Sequence, residues 1–225
     1  MVARLVLLRH GETDWNRQDR YQGRTDVHLN DEGRRQARSA AAGPVGQLLE
    51  DAEAVVAVSS PLARARETAQ IVLEASVGAV ELDLDPHLAE LHGGDWEGLE
   101  LAEIATRWPD AHAAWRASPS LDAGPTGGET MRAGGERLLH ALELRVAGLR
   151  EEDHGFGATM LAVAHGGVLR AAVGLMLGLD VAGFARLERI GNAKAVVFEA
   201  DPAGEAALPG RTDETSRWRL AGYNV

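Results

Sequence analysis

The chain contains no cysteine, which removes disulfides, thiolate-bound zinc and cysteine nucleophiles from consideration together. It has a single lysine, Lys194, so 22 of its 23 basic residues are arginine. Codon composition can produce that bias, but arginine is also the side chain suited to bidentate contact with oxyanions. Long apolar runs are missing too. The longest near the start, Leu5 to Leu8 between Arg4 and Arg9, is far too short for a signal-peptide core or a membrane span. A soluble, cytoplasmic protein is the expectation. Positive charge is in deficit, with 23 basic residues against 34 acidic ones and a formal charge of -11. Residues 1–70 are balanced, ten Arg against ten Asp and Glu, so the whole deficit lies after them. Such a chain is a poor candidate for nucleic acid or an anionic membrane, where a basic stripe is expected.

At 225 residues the chain can bury a sizeable core without a covalent staple. No internal repeat or low-complexity linker divides it, although 117–128 is loop-like, so residues 1–225 read as one domain. Apolar runs of strand length occur at 5–8, 54–58 and 160–164, with others at 80–84 and 195–198. Helix-length segments lie between them. Asn30 before Asp31 and Glu32 predicts an N-cap for a helix through about Ala42, bent or ended by Gly43-Pro44. Ser60-Pro61 predicts a second helix start, running through about Ala75. Further helices are expected at 101–108, 131–150 and 168–177, the long one weakened by Gly134-Gly135. Solidly apolar strands alternating with helices predict an α/β fold, a mostly parallel central sheet with helices on both faces.

In such a sheet, ligands bind outside the carboxyl ends of the strands. The first run is followed by Arg9-His10-Gly11-Glu12-Thr13, and 160–164 by His165-Gly166-Gly167. The second run ends in Ser59-Ser60-Pro61 and delivers Arg64 to the following helix; the run at 80–84 leads to Glu90. One rim can therefore gather two His, two Arg and a carboxyl group, an inventory that suits a phosphate ester. Imidazole is a competent nucleophile, guanidinium matches phosphoryl oxygens, and a carboxylic acid can protonate a leaving alkoxide. Glycines after both histidines let backbone N–H groups approach an anion, at Gly166 with a helix N-terminus behind them. Arg64 and Arg66 point to opposite sides of their helix, so only one can face the pocket. Taken singly, each of these residues is better explained as structural; the combination carries the argument. His28, His87, His112, His140 and His154 read as structural or solvated.

These residues resemble the histidine phosphatase superfamily, also called phosphoglycerate mutase-like. The matching stretches are Leu7 to Thr13 with Trp15-Asn16, Tyr21-Gln22-Gly23 and Gly33 to Ala37; Ser59 to Ala65; Glu90 to Gly98; Gly127 to Thr130; Ala164 to Gly167; and Gly191-Asn192-Ala193. They run in family order across roughly residues 4–198. The resemblance implies that His10 is the phosphorylated nucleophile and that Arg9, Arg64 and His165 hold the phosphoryl oxygens. Asn16, Gln22, Gly23 and the Gly166 amide would add phosphate contacts. Glu90 would protonate the leaving group and then activate water, a role that burial or phosphate charge favours by keeping a proton on it. The chain departs from the family at Ala89 and Pro61, where Arg and Asp are common, and Ala89 bears on how Glu90 is supported.

After Glu90 the chain has the phosphatase-like Leu91-His92-Gly93-Gly94 rather than the Arg-His-Tyr-Gly of glycolytic mutases, which favours hydrolysis over transfer. His92, Ala114-Trp115-Arg116 and Arg217 to Leu220 are similar to the branch acting on glucosyl-3-phosphoglycerate, and His92 is a candidate for specificity. A variable substrate cap is expected at about 91–130. The resemblance implies no metal or other cofactor, a small phosphorylated metabolite as substrate and a homodimer. A broad-specificity phosphomonoesterase, an α-ribazole-phosphate phosphatase, a phosphoglycerate mutase and a non-catalytic phospho-ligand binder stay open as alternatives. Other classes fail on their signatures. Asp83 to His87 is no aspartyl-phosphatase motif, Lys194 follows alanine rather than the glycine of a P-loop, and no Gly-x-Ser-x-Gly, His-Glu-x-x-His or Gly-x-Gly-x-x-Gly occurs.

Overall fold

A computed structural model describes residues 2–116, 120–151, 157–200 and 218–225, without the side chains of 149–151. His154, Arg217 and the first three residues of the loop-like 117–128 lie outside the described residues. In chain order the elements are β1 (Val2–Arg9), α1 (Asp14–Arg17), α2 (Asp31–Ala41), α3 (Pro44–Glu50), β2 (Ala54–Ser59), α4 (Ala63–Ser76) and β3 (Leu82–Leu84). There follow α5 (Leu101–Arg107), α6 (Pro109–Arg116), α7 (Met131–Glu151), β4 (Ala158–Ala164), α8 (Gly166–Met176), α9 (Val181–Arg186), β5 (Ala195–Ala200) and β6 (Trp218–Tyr223).

The six strands form one sheet in the order β3-β2-β4-β1-β5-β6. The first four are mutually parallel; β5 runs antiparallel to β1, and β6 antiparallel to β5. Alternate side chains of a strand point to opposite faces, so a wholly apolar strand needs a core on each side. β1 shows this directly. Leu5 and Leu7 join a cluster with Leu138 and Leu142 of α7 and Leu169 of α8. Val6 and Leu8 join another with Val45 of α3 and Ala65, Ala69 and Val72 of α4. The sheet is therefore a single α/β domain with helices on both faces, as predicted.

Several boundaries differ from those expected, each for a local reason. The helix predicted to start at Ser60-Pro61 starts at Ala63, with Leu62 at the N-cap position. Ser60 N–H bonds to Val163 O at 2.9 Å, which carries the β2–β4 ladder one residue further and keeps the chain extended. Asp26 replaces the missing local cap, its Oδ1 accepting from Ala63 N at 2.7 Å. Asn30 does cap α2 as expected, but Pro44 opens α3 as well as following α2. The run at 80–84 contributes only the short edge strand β3. Helices α6 and α9 and strand β6 were not anticipated. Gly134 and Gly135 do not interrupt α7. At Gly135 a Cβ would lie 3.0 Å from Ala171 C and 2.9 Å from Leu175 Cδ1, so the missing side chain is what lets α7 press against α8. Among the described residues, no helix is long and apolar enough to cross a membrane.

Candidate active site

The carboxyl ends of β1, β2 and β4 lie side by side, and the residues that follow them build the site. His10 follows β1 and is 3% exposed. Its backbone is gripped from both sides: His10 N donates to Ala164 O at 3.1 Å, and His10 O accepts from Ala193 N and Asn192 Nδ2, each at 3.1 Å. Its Nδ1 lies 2.7 Å from Gly11 O. A carbonyl can only accept, so the ring proton belongs on Nδ1 and Nε2 is left with its lone pair.

His165 follows β4, is fully buried, and packs with its ring centroid 5.1 Å from that of His10. The Ser60 hydroxyl, 2.8 Å from His165 Nε2, donates to it when the ring proton sits on Nδ1, and His165 Nδ1 has no protein partner. Ser60, expected at the start of a helix, instead orients a histidine. Burial first, and then the charges of Arg64 and Arg9, push the His10 pKa well below the ordinary imidazole value, against the opposing Gly11 hydrogen bond. Burial, followed by Arg64, His10 and Arg9, does the same to His165. Both rings are neutral near pH 7.

That neutrality has a consequence for stability. Below about pH 6.5 the unfolded chain takes up two imidazole protons that the folded chain refuses. The stabilisation is complete above that pH and is lost as pH falls toward the depressed folded values. Each histidine adds a slope of up to about 1.4 kcal/mol per pH unit. Urea melts between pH 7.5 and 5.5 are expected to show the fall, and His165→Asn to show a shallower one; an unchanged slope in the variant would remove His165 from the account.

Arg9 and Arg64 bring positive charge to the same place. Arg9 Nη1 donates to Ile190 O at 2.7 Å, while its Nε is buried without a partner. Arg64, 1% exposed, donates from Nη1 to Thr25 O at 2.9 Å and from Nη2 to Gly23 O at 2.8 Å, and its Nε is likewise unpartnered. Arg66 faces solvent, as the helical period requires. Burial pushes both guanidinium groups down to about 10, with Glu90 opposing the shift in each case, so both stay charged at neutral pH.

Glu90 sits at the start of α8. Its Oε1 accepts from Val168 N at 2.8 Å and Leu91 N at 3.0 Å, and its Oε2 from Gly167 N at 3.0 Å. The helix N-terminus and its free amides hold the carboxyl group in place. A Cβ on Gly167 would lie 2.8 Å from Oε1, so glycine is required for this approach. The support that Ala89 cannot offer comes from a layer behind it. Arg24 Nε donates to Glu90 O at 3.2 Å, and Arg137 Nη1 donates to Ala89 O at 3.0 Å. Glu129 joins the two arginines, accepting a bidentate pair from Arg137 at 2.9 and 2.8 Å and a bond from Arg24 at 3.2 Å. Burial works against the Glu129 carboxylate, but hydrogen bonding and charge from Arg137 outweigh it and hold its pKa below the usual value.

These groups surround a cavity of about 270 Å³ lined by Arg9, His10, Arg64, Glu90 and Gly166. Asn16, Gln22 and Gly23 line it as well. The Asn16 Oδ1 is engaged by Thr13 N at 3.1 Å, which leaves its amide N–H groups for the cavity. Gly23 contributes through its carbonyl, which holds Arg64. His92 is not brought to the site: its side chain is exposed and outside the cavity lining, and its N–H donates to Glu129 Oε2 at 3.3 Å. Residues given no site role from the sequence are Ser60, Asn192 and Arg189, together with Trp115 and Arg116, which stand in the branch-like Ala114-Trp115-Arg116 stretch. Gly191-Asn192-Ala193, a family match in the sequence, holds the His10 carbonyl. Arg189 carried no local signal, because it follows a helix that was itself missed.

The whole chain aligns with glucosyl-3-phosphoglycerate phosphatase of Mycobacterium tuberculosis at 37% identity over 230 residues, covering 95% of that protein. A 2,3-bisphosphoglycerate-dependent phosphoglycerate mutase of Gloeobacter violaceus is 34% identical over 184 residues, covering 80% of this chain and 76% of the relative. Among solved structures, mycobacterial glucosyl-3-phosphoglycerate phosphatase in complex with VO3 superposes with a TM-score of 0.79 at 33% identity, over 99% of each chain. Residues 5–208 match the family model for the histidine phosphatase superfamily, branch 1, and the chain belongs to that family.

Proposed function

We propose that this protein is a phosphomonoesterase that hydrolyses a small phosphorylated metabolite through a phosphohistidine on His10, with glucosyl-3-phosphoglycerate as the first substrate to test. The observation that carries the reading is the His10 tautomer. A neutral ring with its proton on Nδ1, tied to Gly11 O, offers an Nε2 lone pair in a cavity lined by two buried guanidinium groups and Glu90. Nε2 attacks phosphorus as the ester P–O bond breaks, and the departing alkoxide takes a proton from Glu90. Water then attacks phosphohistidine, giving its proton to Glu90, and the P–N bond breaks to release inorganic phosphate and neutral His10. The charge spread over the three equatorial oxygens is met by Arg9, Arg64 and the Nδ1–H of His165. Asn16, Gln22 and the Gly166 amide complete the cradle, and Gly23 supports it through the carbonyl that holds Arg64.

Because guanidinium groups supply the charge, no metal is required in this scheme. Hydrolysis is preferred to transfer because the relatives matching the chain from end to end are named as phosphatases, whereas the mutase covers 80% of it. Residues of about 91–130, including α5 and α6, are assigned to the substrate cap. A cytoplasmic location, expected from the lack of long apolar runs, and a homodimer, implied by the family resemblance, belong to the same proposal; sedimentation at the mass of one chain would remove the dimer.

Phosphate release in EDTA tests the reading. Turnover of p-nitrophenyl phosphate is expected to survive the chelator, and glucosyl-3-phosphoglycerate is expected to be preferred over α-ribazole phosphate. Transfer of phosphate between 2- and 3-phosphoglycerate without release would overturn it in favour of a mutase.

A further inference from the structure

The cavity continues outward past the phosphate cradle, and its charge exceeds what one phosphate group needs. Six arginines line it against two carboxylates, Asp19 and Glu90, an excess of four positive charges in a chain whose net charge is -11. Arg9 and Arg64 answer to the phosphate. Arg20 is paired with Glu100 at 3.3 Å, and Arg170 is tied to Leu187 O at 3.0 and 2.7 Å and to Phe184 O at 3.0 Å. The guanidinium groups of Arg116, at the end of α6, and Arg189, after α9, have no hydrogen-bonded or ion-paired partner among the described residues.

Solvated surface arginines usually spread apart or sit beside carboxylates. These two line one cavity from separate elements. Arg189 Cζ lies 5.3 Å from the Trp115 ring centroid, and Trp115 is itself packed at 5.7 Å from Trp96 and 5.6 Å from Tyr21. The stack fixes the guanidinium on a rigid aromatic wall, which reduces the rotamer entropy that binding would otherwise cost. Burial, and then the charges of Arg116 and Arg170, lower the Arg189 pKa, with Asp19 opposing the shift.

We propose that Arg116 and Arg189 form a second anion subsite at the mouth of the cavity, which takes a carboxylate of the substrate while its phosphate sits at His10. The preferred substrates are then phosphorylated hydroxy acids, with the organic group between the two anions lying along Trp115. This rests on phosphate being bound at His10, and it adds the residues that choose the ester. A planar guanidinium meets a carboxylate through paired N–H bonds, and each charge-assisted bond is worth more than a neutral one.

The test is competition against p-nitrophenyl phosphate at 0.15 M salt, with 3-phosphoglycerate and glycerol 3-phosphate as the competing ligands. The two differ chiefly in the carboxylate. Wild type is expected to bind 3-phosphoglycerate at least about tenfold more tightly. In Arg116→Gln/Arg189→Gln that ratio is expected to fall to within about twofold, and Arg189→Lys to recover part of it. Equal affinities in wild type, an unchanged ratio in the double variant, or equal weakening of both ligands would each overturn the proposal. Absence of p-nitrophenyl phosphate hydrolysis would instead strike the phosphatase reading, and calorimetric titration of the same two ligands would still read the subsite.

Discussion

His10→Ala is expected to abolish phosphate release, with a loss of at least about 10⁴-fold in kcat on every ester, because the nucleophile has no substitute in the cavity. The neighbouring histidine cannot replace it. His165 Nε2 is occupied by Ser60, and with the Ser60 hydroxyl donating to it the ring proton sits on Nδ1, which then has no lone pair. Binding should fare differently from turnover. Arg9 and Arg64 are anchored by Ile190 O, Thr25 O and Gly23 O, and none of those bonds passes through the His10 side chain. Inorganic phosphate is therefore expected to bind the variant with an affinity within about tenfold of wild type, since charge-assisted contacts to the guanidinium groups remain. The measurement is twofold: steady-state phosphate release, and acid-labile radiolabel on the chain after quenching with a labelled ester. Residual turnover above about 1% of wild type, with label still attached, would place the phosphoryl group on another residue.

Glu90→Gln is expected to lower kcat on alkyl phosphates by about 10²- to 10⁴-fold, the range of a positioned general acid. The loss should depend on the leaving group. p-Nitrophenolate departs without a proton, so its transfer to His10 escapes the first penalty and meets only the one at phosphohistidine hydrolysis. A burst of p-nitrophenol followed by slow turnover is the expected signature. Three backbone amides aim at the two carboxylate oxygens, and glutamine keeps only one of those oxygens. Its NH2 group must then face an N–H donor, which costs about 1–3 kcal/mol of stability in addition to the chemistry. Thermal melting of the variant separates the two effects. Wild-type turnover on an alkyl phosphate would remove Glu90 from proton transfer altogether.

The layer behind Glu90 shows how a departure from the family pattern is absorbed. Ala89 offers no side-chain hydrogen bond, yet the backbone on either side of it is held by Arg137 and Arg24, bridged through Glu129. The bridge spans about a hundred positions of sequence, between Arg24 and Glu129, and no local pattern announces it.

What the sequence determined by itself is the part governed by local rules. Leu5 to Leu8 and Met160 to Ala164 are apolar on consecutive positions, so each must be a strand with a core on both faces, and the residues after them must stand at a sheet edge. That placed His10 and His165 at one rim, to which the run at 80–84 added Glu90, and the helical period separated Arg64 from Arg66. The antiparallel β5 and β6 escaped the reading, because an apolar run of strand length does not carry its direction. Tertiary structure alone decided how the groups act. Ser60 stays out of the helix it was expected to start, its N–H completing a ladder bond to Val163 O, and its hydroxyl is the partner of His165. Asp26 took over at Ala63 N. His92, two residues from Glu90, turned outward, while Arg189, far from any motif, came to the mouth of the cavity. Spacing along a chain fixes which side of an element a residue occupies; which group completes its hydrogen bonds depends on neighbours brought from a hundred residues away.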